Sequence, residues 1–162
     1  MLKYLYSQVY TKEIPNELSL GISILGCPVH CPECHSPHMW DINCKDEGTR
    51  LTLDELDKLI QSQKWVSCIL FFGGEWDVCL DELLRRCKEL KYKTALYSGH
   101  TLEWFEKNIP RYGLYLDYLK VGEYNPIYGS LIYPSTNQKL YTIKNEKVDK
   151  DITSLFWKTG IR

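Results

Sequence analysis

The sequence has almost no net charge: 20 Lys and Arg stand against 21 Asp and Glu, leaving −1 at pH 7. That balance removes the usual electrostatic case for sequence-independent binding to nucleic acid or an anionic membrane, which requires clustered Lys and Arg to displace counterions. A protein or small-molecule partner is expected instead. Long apolar runs are missing too. The longest, Val66 to Phe72, is interrupted by Ser67 and falls far short of the roughly 20 residues that span a bilayer. Met1 to Tyr10 lacks the unbroken apolar stretch of a secretion signal, so a cytoplasmic location is expected. No repeat, low-complexity tract or Pro/Gly/Ser linker divides the chain. Residues 1–162 are therefore read as a single domain, and the 44% hydrophobic content is enough for a core.

What is present is an odd number of cysteines, seven, three of them within eight residues. An odd count forbids a complete disulfide framework within one chain, and clustered cysteines in a reducing compartment serve metal binding or redox chemistry. The segment Leu18 to Leu25 has the aliphatic, β-branched content of a strand and ends at Gly26, so the cluster follows in a loop. Downstream, Thr52 and Glu55 have capping-box spacing before a helix over Leu53 to Gln63. Val66 to Phe72 reads as a strand covered on both faces and closed by Gly73 and Gly74. A helix from Leu80 to Leu90, a strand at Thr94 to Tyr97, a helix at Thr101 to Asn108 and a strand at Leu114 to Val121 continue the alternation. Strand and helix in turn predict a parallel sheet of the α/β class. In the last third, Ser130 to Tyr133 and Lys139 to Lys144 are expected to pair as a hairpin across Pro134 to Gln138, and the mixed-charge run Lys144 to Asp151 to be solvated surface.

The loop Cys27-Pro-Val-His-Cys31-Pro-Glu-Cys34 offers three thiolates with C-x3-C-x2-C spacing. A cubane iron–sulfur cluster ordinarily takes four cysteines, so three leave one iron with an open position where substrate can bind. Two other readings use the same residues. A structural zinc site could recruit the three cysteines with His30, His35 or His38, and Cys31-Pro-Glu-Cys34 alone has the form of a C-x-x-C redox pair. Cys68 and Cys87 fall on apolar faces and read as small hydrophobes, and Cys44 and Cys79 are too far apart in sequence to argue for a second centre.

The cysteine loop followed, about 40 residues later, by Gly73-Gly74-Glu75 after a strand resembles the radical S-adenosylmethionine (SAM) superfamily. Within it, Cys27 to Trp40, Phe71 to Glu75, Tyr97 to His100, Asp117 to Tyr124 and Pro134 to Leu140 resemble the activating proteins of class III anaerobic ribonucleoside-triphosphate reductase. The cysteine loop is also similar to that of the activating enzymes of pyruvate formate-lyase. The Ser-Thr-Asn-Gln stretch at 135–138 separates the two groups.

The resemblance implies an incomplete, open parallel (βα) barrel with a C-terminal β-hairpin, and a [4Fe-4S] cluster held by Cys27, Cys31 and Cys34. It implies that SAM chelates the open iron and is cleaved by one electron to methionine and a 5′-deoxyadenosyl radical. That radical would take hydrogen from a glycine of the reductase, the protein partner, with a flavodoxin or ferredoxin as electron donor. Glu33 and His35 are expected near the adenine, Gly73, Gly74 and Glu75 near the SAM ammonium, and Ser98 and Asp117 elsewhere on SAM. Asn137 and Gln138 are candidates for contact with SAM or the partner, while Lys120, three residues beyond Asp117, falls on the opposite strand face. Trp76 stands where the superfamily usually has proline. A three-cysteine cluster exposes an iron to O2, so cluster absorbance is expected to bleach in air; absorbance surviving prolonged exposure would count against this reading.

Overall fold

A computed structural model describes residues 1–44 and 48–157. Eight strands, β1 (Lys3–Tyr10), β2 (Ser19–Ile24), β3 (Thr49–Arg50), β4 (Cys68–Phe72), β5 (Lys93–Tyr97), β6 (Tyr118–Val121), β7 (Lys139–Lys144) and β8 (Lys147–Asp151), pair in the order β3-β1-β2-β4-β5-β6-β7-β8. Helices α1 (Leu53–Ser62), α2 (Cys79–Glu89) and α3 (Leu102–Asn108) lie between the central strands in sequence. The four strands β2, β4, β5 and β6 are parallel, and the flanking pairs are antiparallel. The expected α/β class is therefore seen, in an open sheet whose edges β3 and β8 do not meet among the described residues. No helix among the described residues is long and apolar enough to cross a membrane.

Each helix forms for a local reason. Thr52 and Thr101 accept backbone N–H donors from Glu55 and Trp104, satisfying groups that the first turns of α1 and α3 leave orphaned. The second half of the expected capping box is absent, because the Glu55 carboxylate accepts from the Tyr4 hydroxyl at 2.6 Å. In α2, Leu80, Leu83, Leu84 and Cys87 share the buried face, with Asp81 and Glu82 at its start and Arg86 and Lys88 at its end. These residues join Ile22, Ile24, Ile69, Phe71, Leu96 and Leu119 in the larger core on one side of the sheet.

Two expectations for the chain's outer strands are corrected. The chain opens with a strand outside the expected elements, β1, which adds a mostly half-exposed antiparallel neighbour to β2. The hairpin joins β7 to β8 rather than using Ser130 to Tyr133, which form no strand. Asn145 and Glu146, at φ 53° and 66°, supply the two left-handed residues of a tight turn. The run expected to be solvated surface is thus largely an exposed edge strand.

The opposite side of the sheet holds a smaller core of Ile14, Cys68, Leu70, Ala95 and Leu140. Beneath it, near the strand N-termini, the buried Glu17 carboxylate accepts from Lys93, from the Ser67 hydroxyl at 2.5 Å and from the Tyr118 hydroxyl at 2.8 Å. Burial alone would raise this carboxyl, but the three donors outweigh it and hold it below its usual range. Glu17→Gln should cost about 1–3 kcal/mol at pH 7, because three donors lose a charged acceptor. The native carboxylate's advantage is full above the unfolded-state value near 4.5 and is lost as pH falls through the lower folded-state value. Denaturant titrations of the two proteins across pH 3 to 7 check this, and a constant difference down to pH 3 would refute it.

Candidate iron–sulfur and ligand site

The parallel register brings one residue from each of four strands into line, Ser23, Phe72, Tyr97 and Lys120. All four line a cavity of about 700 Å³, at the C-terminal strand ends where parallel α/β folds hold ligands. Tyr10 meets Phe72 edge-on at 5.2 Å and Phe72 meets Tyr97 at 5.4 Å, so the floor is largely aromatic. Gly21 makes this possible, since a Cβ there would lie 2.4 Å from the Tyr10 ring and 2.7 Å from Phe72.

The cysteine loop forms the wall above. The amides of Gly26 and Cys27 both donate to the Met39 carbonyl, at 2.8 and 3.2 Å, closing the loop at its base. His30 and Glu33 take left-handed conformations, at φ 51° each, that bend the chain between successive cysteines. His30 is also fixed by stacking on Trp40 at 4.4 Å. Cys27, Cys31 and Cys34 are free, partly exposed thiols that line the same cavity. The Ser36 amide donates to the Cys34 sulfur at 3.4 Å. Burial pushes the Cys27 and Cys31 thiols up, while backbone N–H groups of Val29 and His30 act the other way on Cys27 and that of Tyr124 on Cys31.

Gly73, Glu75, Ser98 and His35 join the cysteines in lining the cavity. Glu75 is buried; its Oε1 accepts from the Ser98 hydroxyl, and its Oε2 has no partner among the described residues. Burial raises this carboxyl despite the Ser98 bond and nearby Lys120. His100 Nε2 lies 3.9 Å from Glu75 and its ring stacks on Trp104 at 3.7 Å. Trp76, the departure from proline, packs against Gly73, where a Cβ would lie 2.7 Å from the indole. Gln138 also lines the cavity and donates to the Gly122 carbonyl at 3.2 Å, while Asn137 donates to the Glu123 carbonyl at 3.0 Å.

Three expected residues are placed elsewhere. Glu33 is exposed and outside the cavity lining. Gly74 faces Leu2 and Leu80 on the helix side, and its carbonyl accepts from the Asp77 amide. Asp117 precedes β6, at the end remote from the cavity, where it binds Lys88 at 2.6 Å and the Thr94 amide at 2.9 Å. A carboxylate entering an apolar strand needs a partner, and α2 supplies it. The sequence reading missed Lys120 as a site residue, although its placement opposite Asp117 was foreseen. Burial pushes Lys120 down to about 8.

The donor set suits a cluster. Three thiols open onto one cavity, the Ser36 N–H reaches the Cys34 sulfur, and a buried carboxylate oxygen has no partner among the described residues. Among the described residues no three His, Cys, Asp or Glu side chains converge closely enough to grip a single ion. A cubane asks for no such convergence, because its ligand sulfurs sit on separate irons.

Fold and site together define an α/β iron–sulfur protein with a ligand cavity beside the cluster loop. The chain belongs to the 4Fe-4S single cluster domain family, which it matches over residues 19–127. It is also 29% identical over 102 residues to a 7-carboxy-7-deazaguanine synthase from Buchnera aphidicola subsp. Schizaphis graminum (strain Sg), a match covering 51% of this chain and 46% of that protein. The chain thus spans about half the length of that relative. Both similarities support the radical SAM superfamily.

Gly99, in the turn after β5, lies close under the cysteine loop, with a Cβ there 2.8 Å from Val29 Cγ1 and 3.2 Å from the Cys31 sulfur. Gly99→Ala should displace Cys31 and lower iron and sulfide uptake severalfold on anaerobic reconstitution, with a stability cost of about 1–3 kcal/mol. Wild-type iron content in that variant would show that the loop yields freely.

Proposed function

We propose that this protein is a radical SAM activase that generates a glycyl radical on anaerobic ribonucleoside-triphosphate reductase. The observation carrying the proposal is the convergence of Cys27, Cys31, Cys34, Gly73, Glu75 and Ser98 on one cavity at the C-terminal ends of parallel strands. In this reading a [4Fe-4S] cluster, when bound, supplies the electron that splits SAM into methionine and a 5′-deoxyadenosyl radical able to take hydrogen from a glycine.

The chain's own residues bind, orient and shield. Cys27, Cys31 and Cys34 would hold three irons. Glu75, buried and fixed by Ser98, is poised to accept from the SAM ammonium through Oε2, and the Gly73 turn lets backbone approach the same group. Phe72, Tyr97 and Tyr10 keep water from the floor.

The choice of reductase as partner rests on the sequence resemblance, above all the 135–138 stretch, and on how that stretch is used. Thr136, Asn137 and Gln138 bind the carbonyls of Gly129, Glu123 and Gly122, so they shape the segment at the cavity mouth. That segment exposes Ile127 and Tyr133, at 83% and 54%, beside lining residues Ser130, Leu131 and Ile132. An apolar lip continuous with a reaction cavity suits a protein substrate that must insert a loop. A flavodoxin or ferredoxin is the proposed electron donor, and the cytoplasm the proposed location. A second reading, a synthase acting on a small deazaguanine-type molecule, is favoured by the relative's name and the identity with it.

Anaerobic reconstitution with iron and sulfide, followed by SAM and dithionite, should yield 5′-deoxyadenosine from wild type and none above background from Cys31→Ala. Adding the reductase should transfer an organic radical to that protein, seen by electron paramagnetic resonance. Nucleoside formation without radical on the reductase, but with radical on a formate-lyase type enzyme, would move the assignment to that partner. Iron-free protein carrying zinc would refute the cluster chemistry altogether.

A further inference from the structure

Lys120 is the least expected residue on the cavity floor. Its neighbours in the strand row are Tyr97 and, one strand further, Phe72, positions where an apolar side chain would pack without cost. Instead an ammonium is buried there, held by the Gly122 carbonyl at 3.0 Å and the Ser98 carbonyl at 3.5 Å and lying 5.7 Å from the Tyr97 ring. No carboxylate lies within ion-pair distance of it among the described residues. Glu75 and Glu13 act on it only from beyond that distance, and a buried charge without a contacting counter-ion costs several kcal/mol, so a fold that keeps one has an anion to receive.

The position identifies the anion. The turns whose carbonyls hold Lys120, Ser98-Gly99 and Gly122-Glu123-Tyr124, are the same two that flank Cys31. A Gly99 Cβ would sit 3.2 Å from its sulfur, and Tyr124 lines the same cavity as Cys31 and Lys120. The two turns are themselves tied together, since Ser98 N–H donates to the Lys120 carbonyl and Gly122 N–H to the His100 carbonyl. Thiols become thiolates when they bind iron, and three thiolates outweigh the charge of the core, so loading brings net negative charge to this spot.

We propose that Lys120 is a positioning residue for electron uptake, its buried ammonium favouring the reduced cluster over the oxidised one. The inference rests on the cluster reading above. One electron arrives from a low-potential one-electron donor; no bond to the lysine forms or breaks, and Lys120 keeps its proton. Each added negative charge is better tolerated near a fixed cation in a site of low dielectric, which raises the reduction potential.

The test compares wild type, Lys120→Met and Lys120→Arg after anaerobic reconstitution, with iron and sulfide counted before a potentiometric titration followed by electron paramagnetic resonance. At equal loading, Lys120→Met should show about a tenfold lower ratio of reduced to oxidised cluster at the wild-type midpoint, which is a shift of about 59 mV for one electron. Lys120→Arg should stay close to wild type. The iron-free Lys120→Met protein should be at least as resistant to denaturant as iron-free wild type, which a lysine serving only the fold would not allow. Equal midpoints at equal loading overturn the proposal while leaving the cluster reading intact. If Lys120→Met takes up no iron, loading restored by Lys120→Arg upholds the role of the charge, and loss in both overturns it. Wild-type protein that takes up no iron and sulfide overturns the cluster reading and this inference with it.

Discussion

In-register parallel pairing of β2, β4, β5 and β6 is the constraint on which the rest of the molecule depends. It fixes which residues share a level and puts every following loop at one end of the sheet. The cysteine loop, the Gly-Gly-Glu turn, the Ser98-Gly99 turn and the Gly122 turn each leave one of those strands. None would find the others if a strand slipped by one residue, because such a slip exchanges the two faces. Lys120 would then enter the helix-side core and Leu119 would face the cavity.

The two faces have different tasks. The helix side is conventional packing of leucine, isoleucine and phenylalanine, and it holds the strands in place. The cavity side carries a short apolar plug, a carboxylate anchored by three donors below it, and an aromatic floor above. Ionisable groups are buried at both ends of this side, but with opposite logic. Glu17 is surrounded by donors that favour its charge, whereas one Glu75 oxygen has no partner among the described residues and Lys120 is held by backbone carbonyls alone.

Much of this was legible in the sequence because the chemistry there is local. The cysteine spacing, the glycine turn and the apolar periodicity of α2 need no knowledge of the rest of the chain. Where the reading failed, the information was in the packing. β1 was missed because Lys3, Ser7 and Gln8 break up its apolar residues and only Tyr4 of it is fully buried at the antiparallel flank. β8 was missed because a run of charges on an exposed edge looks like a loop. Asp117 was assigned to the ligand because a carboxylate in an apolar strand demands a partner, and the sequence does not say at which end of the strand that partner waits. Lys120 went unassigned for the converse reason: only the folded chain reveals that its side chain is buried.

The same charged edge has a consequence for the molecule in bulk. A sheet that does not close on itself presents two rims of unpaired backbone, and such rims recruit further strands. Here one rim is β3, only two residues long, and the other is β8, whose Lys147, Asp149, Lys150 and Asp151 line most of its length. An incoming strand would have to strip water from alternating positive and negative charges before gaining a hydrogen bond. The β8 rim is therefore guarded against unwanted copies of the chain by its hydration rather than by a covering strand.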